Sequence, residues 1–237
     1  MKRYYQDVAV TDGHAVTLDG KPVKTPARRP LVLPNALIAK SVAKEWAAQG
    51  ETVEPDSMPL MRLAATAIDR VADNRESVVD EISAYGETDL TCYRAAEPED
   101  LRARQDEGWQ PLLEWCARRL GANLAVTEGV IAIAQDSAAT GALRAAVDGY
   151  DIMSLAALHA ITAASGSLVI ALALAEGHID ARNAWLLSRI DERFQAERWG
   201  MDEEAKDKSE QMRVTLYASA RFLRLCNHDK LAGKKKG

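Results

Sequence analysis

The sequence predicts an α+β protein: a small β-rich N-terminal domain with one helix over residues 1–60, followed by a larger all-helical C-terminal domain over residues 61–237. Two observations carry this expectation. Short alternating runs separated by two Asp-Gly pairs fill the first 35 residues, whereas from residue 36 onward apolar residues recur mainly at helical spacing. The composition, rich in alanine with only 2 Phe against 5 Trp and 6 Tyr, suits helices that pack closely with Trp filling the larger gaps. At 237 residues the chain can bury such a core without disulfides.

In chain order, Val8 to Val10, His14 to Leu18 and Lys21 to Lys24 read as strands. Asp12-Gly13 and Asp19-Gly20 are the turns between them, because both central positions of the favoured two-residue hairpin turn need positive φ. Pro26, Pro30 and Pro34 break the chain around Leu31-Val32-Leu33, a fourth short run. Asn35 caps a helix over 36–49 that Gly50 closes, with Ile38, Val42 and Trp46 on one face. Pro55, Met58 and Pro59 mark an irregular connection, after which helices follow over 60–72 and, capped by Asn74, over 75–85.

Residues 86–94 are not periodic enough to assign. A helix starting at Pro98 should kink or restart at Pro111, since the proline ring clashes with the preceding turn, and end at Gly121. The β-branched run from Val126 to Ala134 is a candidate extra strand. Helices complete the chain over 138–147, 154–175, 180–199 and 202–227. Asp180 is the N-cap of the helix over 180–199, Leu187, Ile190 and Phe194 are its apolar stripe, and Trp199-Gly200 end it. Its polar faces carry Glu192 and Gln195, and the carboxylates Glu203, Glu204 and Asp207 follow. A polar helix ending in a large aromatic and a carboxylate patch suits docking onto another protein, set against the plainer reading of a solvated surface.

The formal charge of -5 gives no support for nucleic-acid binding, which needs a basic face to neutralise phosphates. Lys234-Lys235-Lys236 reads as a solvated tail. Three cysteines, Cys92, Cys116 and Cys226, lack metal-type spacing and fit a reducing compartment. The N-terminal stretch MKRYYQDVAV carries neither an apolar signal core nor an arginine-rich presequence. Residues 154–175 are long enough to span a bilayer, but alanine, glycine, His159 and several hydroxyl residues make a buried central helix the better reading. No stable membrane insertion is expected.

No glycine-rich phosphate loop precedes a Lys-Ser/Thr step, and the four histidines are scattered. Cys226-Asn227-His228 offers too few ligands for zinc. No metal and no cofactor is expected. Cys92, beside Asp89, Tyr93 and Arg94, is the cysteine in the segment densest in functional groups. A soluble enzyme using Cys92 or a carboxylate pair is therefore the alternative reading, set against Asp89 acting as a cap or pairing with Arg94, with Cys92 and Tyr93 packed inward.

Several ordered stretches together resemble the ATP12 family of F1-ATPase assembly chaperones. They are Leu18-Asp19-Gly20-Lys21-Pro22-Val23-Lys24-Thr25-Pro26; Ala43-Lys44-Glu45-Trp46 with Gln49; Pro55 with Met58-Pro59; and Thr66-Ala67-Ile68-Asp69. Thr88-Asp89-Leu90 with Cys92-Tyr93-Arg94, Gln105 with Trp109, Pro111-Leu112-Leu113 with Trp115, and Gln195 with Trp199-Gly200, Glu203 and Asp207 complete the set. The resemblance implies two domains and a non-enzymatic role: holding the new F1 α subunit, preventing its aggregation, and releasing it to the β subunit without nucleotide hydrolysis. It also implies a bacterial cytoplasmic location, or the mitochondrial matrix for a processed form. The expected partner-binding residues are Glu203, Asp207, Glu192, Gln195, Asp89 and Arg94; Trp46, Trp109, Trp199, Gly200 and Tyr93 are expected to be structural. Lys206, where the family often has histidine, and Asp202, where it is usually apolar, depart from the pattern.

Overall fold

The computed structural model describes residues 1–129 and 131–227. Two compact units divide the chain: Met1–Arg75 with Asp151–Ala157 and Ala218–Gly237, and Glu76–Tyr150 with Leu158–Tyr217. The expected boundary at residues 60/61 therefore falls inside the first unit.

The first unit is built on an antiparallel sheet of β1 (Val8–Val10), β2 (Val16–Leu18) and β3 (Lys21–Pro22), in that order. Its register sets Val8 against Leu18 and Val10 against Val16. The Asp19-Gly20 turn takes positive φ at both positions, as its sequence predicts. At the first turn, by contrast, His14 rather than Asp12 or Gly13 takes the left-handed conformation, so this is a longer loop closed by Thr11 N–H on Ala15 O. Leu31-Val32-Leu33 adds no strand, only an isolated bridge from Val32 to Ala15.

Helix α1 (Ala36–Ala47) packs on β1 and β2 through the buried Ile38, Ala39, Val42 and Trp46. Asn35 caps it by accepting from Leu37 N and Ile38 N, and its amide donates to Leu225 O and Cys226 O of the same unit. The tyrosine hydroxyl of Tyr5 donates to Trp46 O at 2.7 Å while the two rings meet edge to face. Glu45 caps α2 (Pro59–Thr66), its two oxygens accepting from Leu60 N at 2.9 Å and Met61 N at 2.8 Å. Gln49 pins the turn between them through Glu54 N and Ser57 Oγ. A π-helical turn, Ala67–Val71, extends α2, and its Asp69 accepts from Thr25 Oγ1 and Ala27 N. Motif residues scattered through the first 70 positions thus tie one unit together.

The second unit is mainly helical. It contains α3 (Arg75–Ser83, whose first residue belongs to the first unit), α4 (Glu99–Leu120), α5 (Ser137–Asp148), α7 (Leu168–Ala175), α8 (Ala181–Leu187) and α9 (Ile190–Trp199), with most of α6 (Ile152–Ser165) and of α10 (Glu203–Cys226). It also holds a two-residue parallel pair, β4 (Tyr93–Arg94) with β5 (Thr127–Glu128), so this part is not wholly helical. The β-branched run from Val126 thus forms strand only at Thr127–Glu128; Val130 lies outside the described residues, as do His228 and Lys234-Lys235-Lys236.

Three element boundaries differ from expectation. Helix α4 runs through Pro111 without a break. The carbonyl this proline leaves without its helical donor belongs to Glu107, an exposed residue that water can reach. The apolar stretch over 154–175 is two helices, parted where Gly166 takes φ +71 and Ser167 caps α7 through Ile170 N. Leu168 to Ala173 are all buried, and among the described residues no helix is long and apolar enough to cross a membrane. The segment over 180–199 is likewise split at Ser188-Arg189, while Asp180 does cap α8 by accepting from Asn183 N.

Candidate functional site: the α9–α10 surface

Asp89, Tyr93 and Arg94 form a structural knot. Asp89 is fully buried and accepts four hydrogen bonds: Oδ1 from Thr91 N, Thr91 Oγ1 and Ser167 Oγ, and Oδ2 from Val169 N at 3.0 Å. It thereby joins the turn over 90–92 to the start of α7. Burial raises its carboxyl above the ordinary range, and the four donors pull it back down. Arg94, 2% exposed, donates from Nε to Asp106 Oδ1 at 2.7 Å and from Nη1 to Thr91 O, with its guanidinium 5.3 Å from the Trp109 ring. Asp89 and Arg94 therefore have no surface to offer a partner; of the two structural readings of Asp89, it caps the turn over 90–92 through Thr91 N and does not pair with Arg94. Tyr93 lies half-buried in β4.

Cys92 and Cys116 are also buried, and burial pushes both thiols up to about 12. The negative charge of Asp89 acts in the same direction on each. A thiol held there is almost wholly protonated near neutrality, the reverse of what an attacking thiolate needs. Cys92 is unsuited to the nucleophilic role of the alternative reading.

The remaining expected residues lie on α9, a platform braced from α4, and on the start of α10. Trp109, 1% exposed, donates from Nε1 to Leu187 O at 2.8 Å. Gln105 accepts from Ala95 N and donates to Asp191 Oδ1, each at 2.7 Å. Burial raises the Asp191 carboxyl, opposed by that amide. Phe194 is buried between two guanidinium groups, Arg104 at 5.1 Å and Arg198 at 4.2 Å from its ring. Arg104 also pairs with Glu197 and Arg198 with Asp100, each at 2.7 Å. At Gly108 an added Cβ would sit 2.7 Å from Ile190 Cδ1 and 2.9 Å from Leu187 Cδ2, so glycine is what lets these helices approach.

On this platform Glu192 is exposed and pairs with Arg189 at 2.6 Å; Gln195 is exposed with no hydrogen-bond partner among the described residues. Trp199 is 74% exposed, which corrects its expected structural role. Trp46 and Trp109 are core as expected. Gly200 ends α9 with φ +77 and ψ -176, a backbone region essentially confined to glycine. Asp202 then accepts from Ala205 N at 2.7 Å, capping α10. Its departure from the family pattern thus has a local function, and the short acceptor just before a helix start was the signal for it. Glu203 pairs with Lys206 at 2.7 Å, so the residue standing for the family's histidine neutralises the neighbouring carboxylate. Glu204 and Asp207 are exposed and have no ion-pair partner among the described residues. The first turns of α10 are exposed almost all round; burial begins at Leu216. Sequence reasoning missed Asp191, the Arg104–Phe194–Arg198 stack and Gly108, because each depends on a neighbour at least 80 positions away or on a close helix approach.

An extended, exposed, net acidic surface with an aromatic at its centre suits recognition of a protein rather than conversion of a small molecule. The comparisons with known proteins agree with that chemistry. Residues 2–117 match the family model described as ATP12 chaperone protein. The chain is 43% identical to Atp12 from Paracoccus denitrificans, covering 95% of this chain and 98% of that one with a TM-score of 0.89. It is 40% identical to the Atu1473 protein from Agrobacterium tumefaciens, covering 94% and 85% respectively, also with a TM-score of 0.89. It is 24% identical over 243 residues to the mitochondrial protein atp12 of Schizosaccharomyces pombe, covering 96% of this chain and 84% of that protein.

Proposed function

The chain belongs to the ATP12 family of chaperone proteins, and from that premise we propose that it binds the unassembled α subunit of F1-ATPase. It shields that subunit from aggregation and releases it for assembly with the β subunit, acting as a binding protein without catalysis or nucleotide hydrolysis. Its working compartment is the bacterial cytoplasm, or the mitochondrial matrix in a processed form. The observation that carries this reading is the α9–α10 surface: Glu192 and Gln195 stand exposed on α9, which α4 braces, and Glu203, Glu204 and Asp207 stand exposed on the first turns of α10.

Carboxylates placed this way speed encounter with a basic client and reject acidic ones, while adding less to affinity than buried anchors do. The surface ion pair Glu203–Lys206 is worth roughly 0–1 kcal/mol and exchanges readily for client contacts. Reversing Glu203 and Asp207 to lysine is expected to slow capture of isolated α subunit and steepen aggregation, with an unchanged melting midpoint. Light scattering of α subunit diluted from denaturant reads this directly. Protection undiminished by the double reversal removes the acidic surface from the account.

A further inference from the structure

Trp199 is 74% exposed, whereas Trp46, Trp109 and Trp115 are buried. It ends α9 at a turn that the positive φ of Gly200 fixes, beside the exposed start of α10, so neither helix covers its ring. Its helix is nevertheless tied to α4: Arg104 stacks on Phe194 and pairs with Glu197, Gln105 donates to Asp191, and Arg198 pairs with Asp100. A large apolar ring on a supported helix suits a binding anchor, since tryptophan offers a wide contact area with only two rotatable side-chain bonds to order on docking.

The charge around the ring selects its occupant. From Gln195 to Lys208 there are five carboxylates and three cations. Arg198 is already paired with Asp100, Lys206 with Glu203, and Glu197 with Arg104. Glu204 and Asp207 are left without a counter-ion among the described residues. An anionic lipid surface would be repelled by this rim. A second copy of the same face would set carboxylates against carboxylates. A protein segment offering an apolar socket flanked by lysine or arginine satisfies both the ring and the rim.

We propose that Trp199 is the apolar anchor of the α9–α10 surface, seated in a basic-rimmed apolar socket of the client subunit. The proposal rests on the reading of the α subunit as client. The test compares full-length wild type, Trp199→Ala and Trp199→Phe for retention of purified F1 α subunit on the immobilised chain, with melting midpoints of each free protein. Trp199→Ala is expected to weaken retention by about 10-fold or more, as loss of a central aromatic does, and Trp199→Phe much less. All three midpoints should coincide.

Equal retention by Trp199→Ala and wild type overturns the anchor and leaves the client assignment standing. A wild type that retains no α subunit removes the client assignment and the anchor with it. A lowered midpoint for Trp199→Ala would make the ring structural and overturn the proposal. Two further arms ask for binding to phosphatidylglycerol vesicles and for self-association by sedimentation velocity. Either one, if abolished by Trp199→Ala, reassigns the ring to another occupant and overturns it.

Discussion

Asp89 shows why a residue's neighbourhood, rather than its type, decides its role. In sequence it sits among Cys92, Tyr93 and Arg94 and reads as chemistry or contact; in the fold its two oxygens accept four hydrogen bonds from buried donors. Replacement by asparagine, with Oδ1 kept on Thr91 and Ser167, turns an amide donor toward the Val169 N–H. The Val169 N–H and the amide N–H facing it are then both buried without an acceptor, at about 1–3 kcal/mol each, which lowers the urea midpoint accordingly. The same burial governs the thiols. With both held at about 12, Cys92 and Cys116 are expected to resist iodoacetamide at pH 8 in the native protein and to react only on unfolding. Mass-spectrometric labelling with and without denaturant checks this. Legibility at this scale divides by locality. The caps Asn35 and Asp180 act within three residues and could be read from the sequence. The partners of Asp89 lie up to 80 positions away and could not.

At the scale of elements, helix existence and type were well marked by apolar spacing, whereas breaks were not. Residues 154–175 and 180–199 each read as one helix because hydrophobicity runs across the break. A single left-handed glycine at 166 divides the first, and a non-helical step at Ser188-Arg189 divides the second. Pro111 errs in the other direction, since an exposed helix face tolerates a missing hydrogen bond that a buried one would not. The platform itself depends on a glycine that no turn requires. Gly108→Ala places a methyl group inside contact distance of Ile190 Cδ1 in α9 and Leu187 Cδ2 in α8, so the ends of these two side chains must move aside. Set against the roughly 1 kcal/mol that alanine gains over glycine in a helix, a net cost of about 1 kcal/mol is expected, with faster amide exchange concentrated in α8 and α9. A variant with native stability and unchanged exchange would show that the close approach is not needed.

At the scale of the molecule, the α+β class and the N-terminal placement of the sheet followed from turn chemistry and period. The compact units did not follow, because the first one recruits 151–157 and 218–237 from far along the chain. Asn227 donating to Ser154 Oγ at 3.0 Å is one such tie, inside that unit. The core position of Trp46 gives the unit a direct test. Trp46→Arg removes a ring packed against Tyr5 and buries an unpaired charge, so loss of more than about 3 kcal/mol is expected in thermal or urea unfolding. A soluble variant with an unchanged midpoint would contradict that placement. The central claim, that this family member holds the F1 α subunit before assembly, is tested most directly by recovering tagged full-length protein from native lysate and identifying what accompanies it. The expected result is α subunit without β, in lower amount after reversal of Glu203 and Asp207; recovery of assembled αβ complexes, or of no F1 subunit, would contradict it.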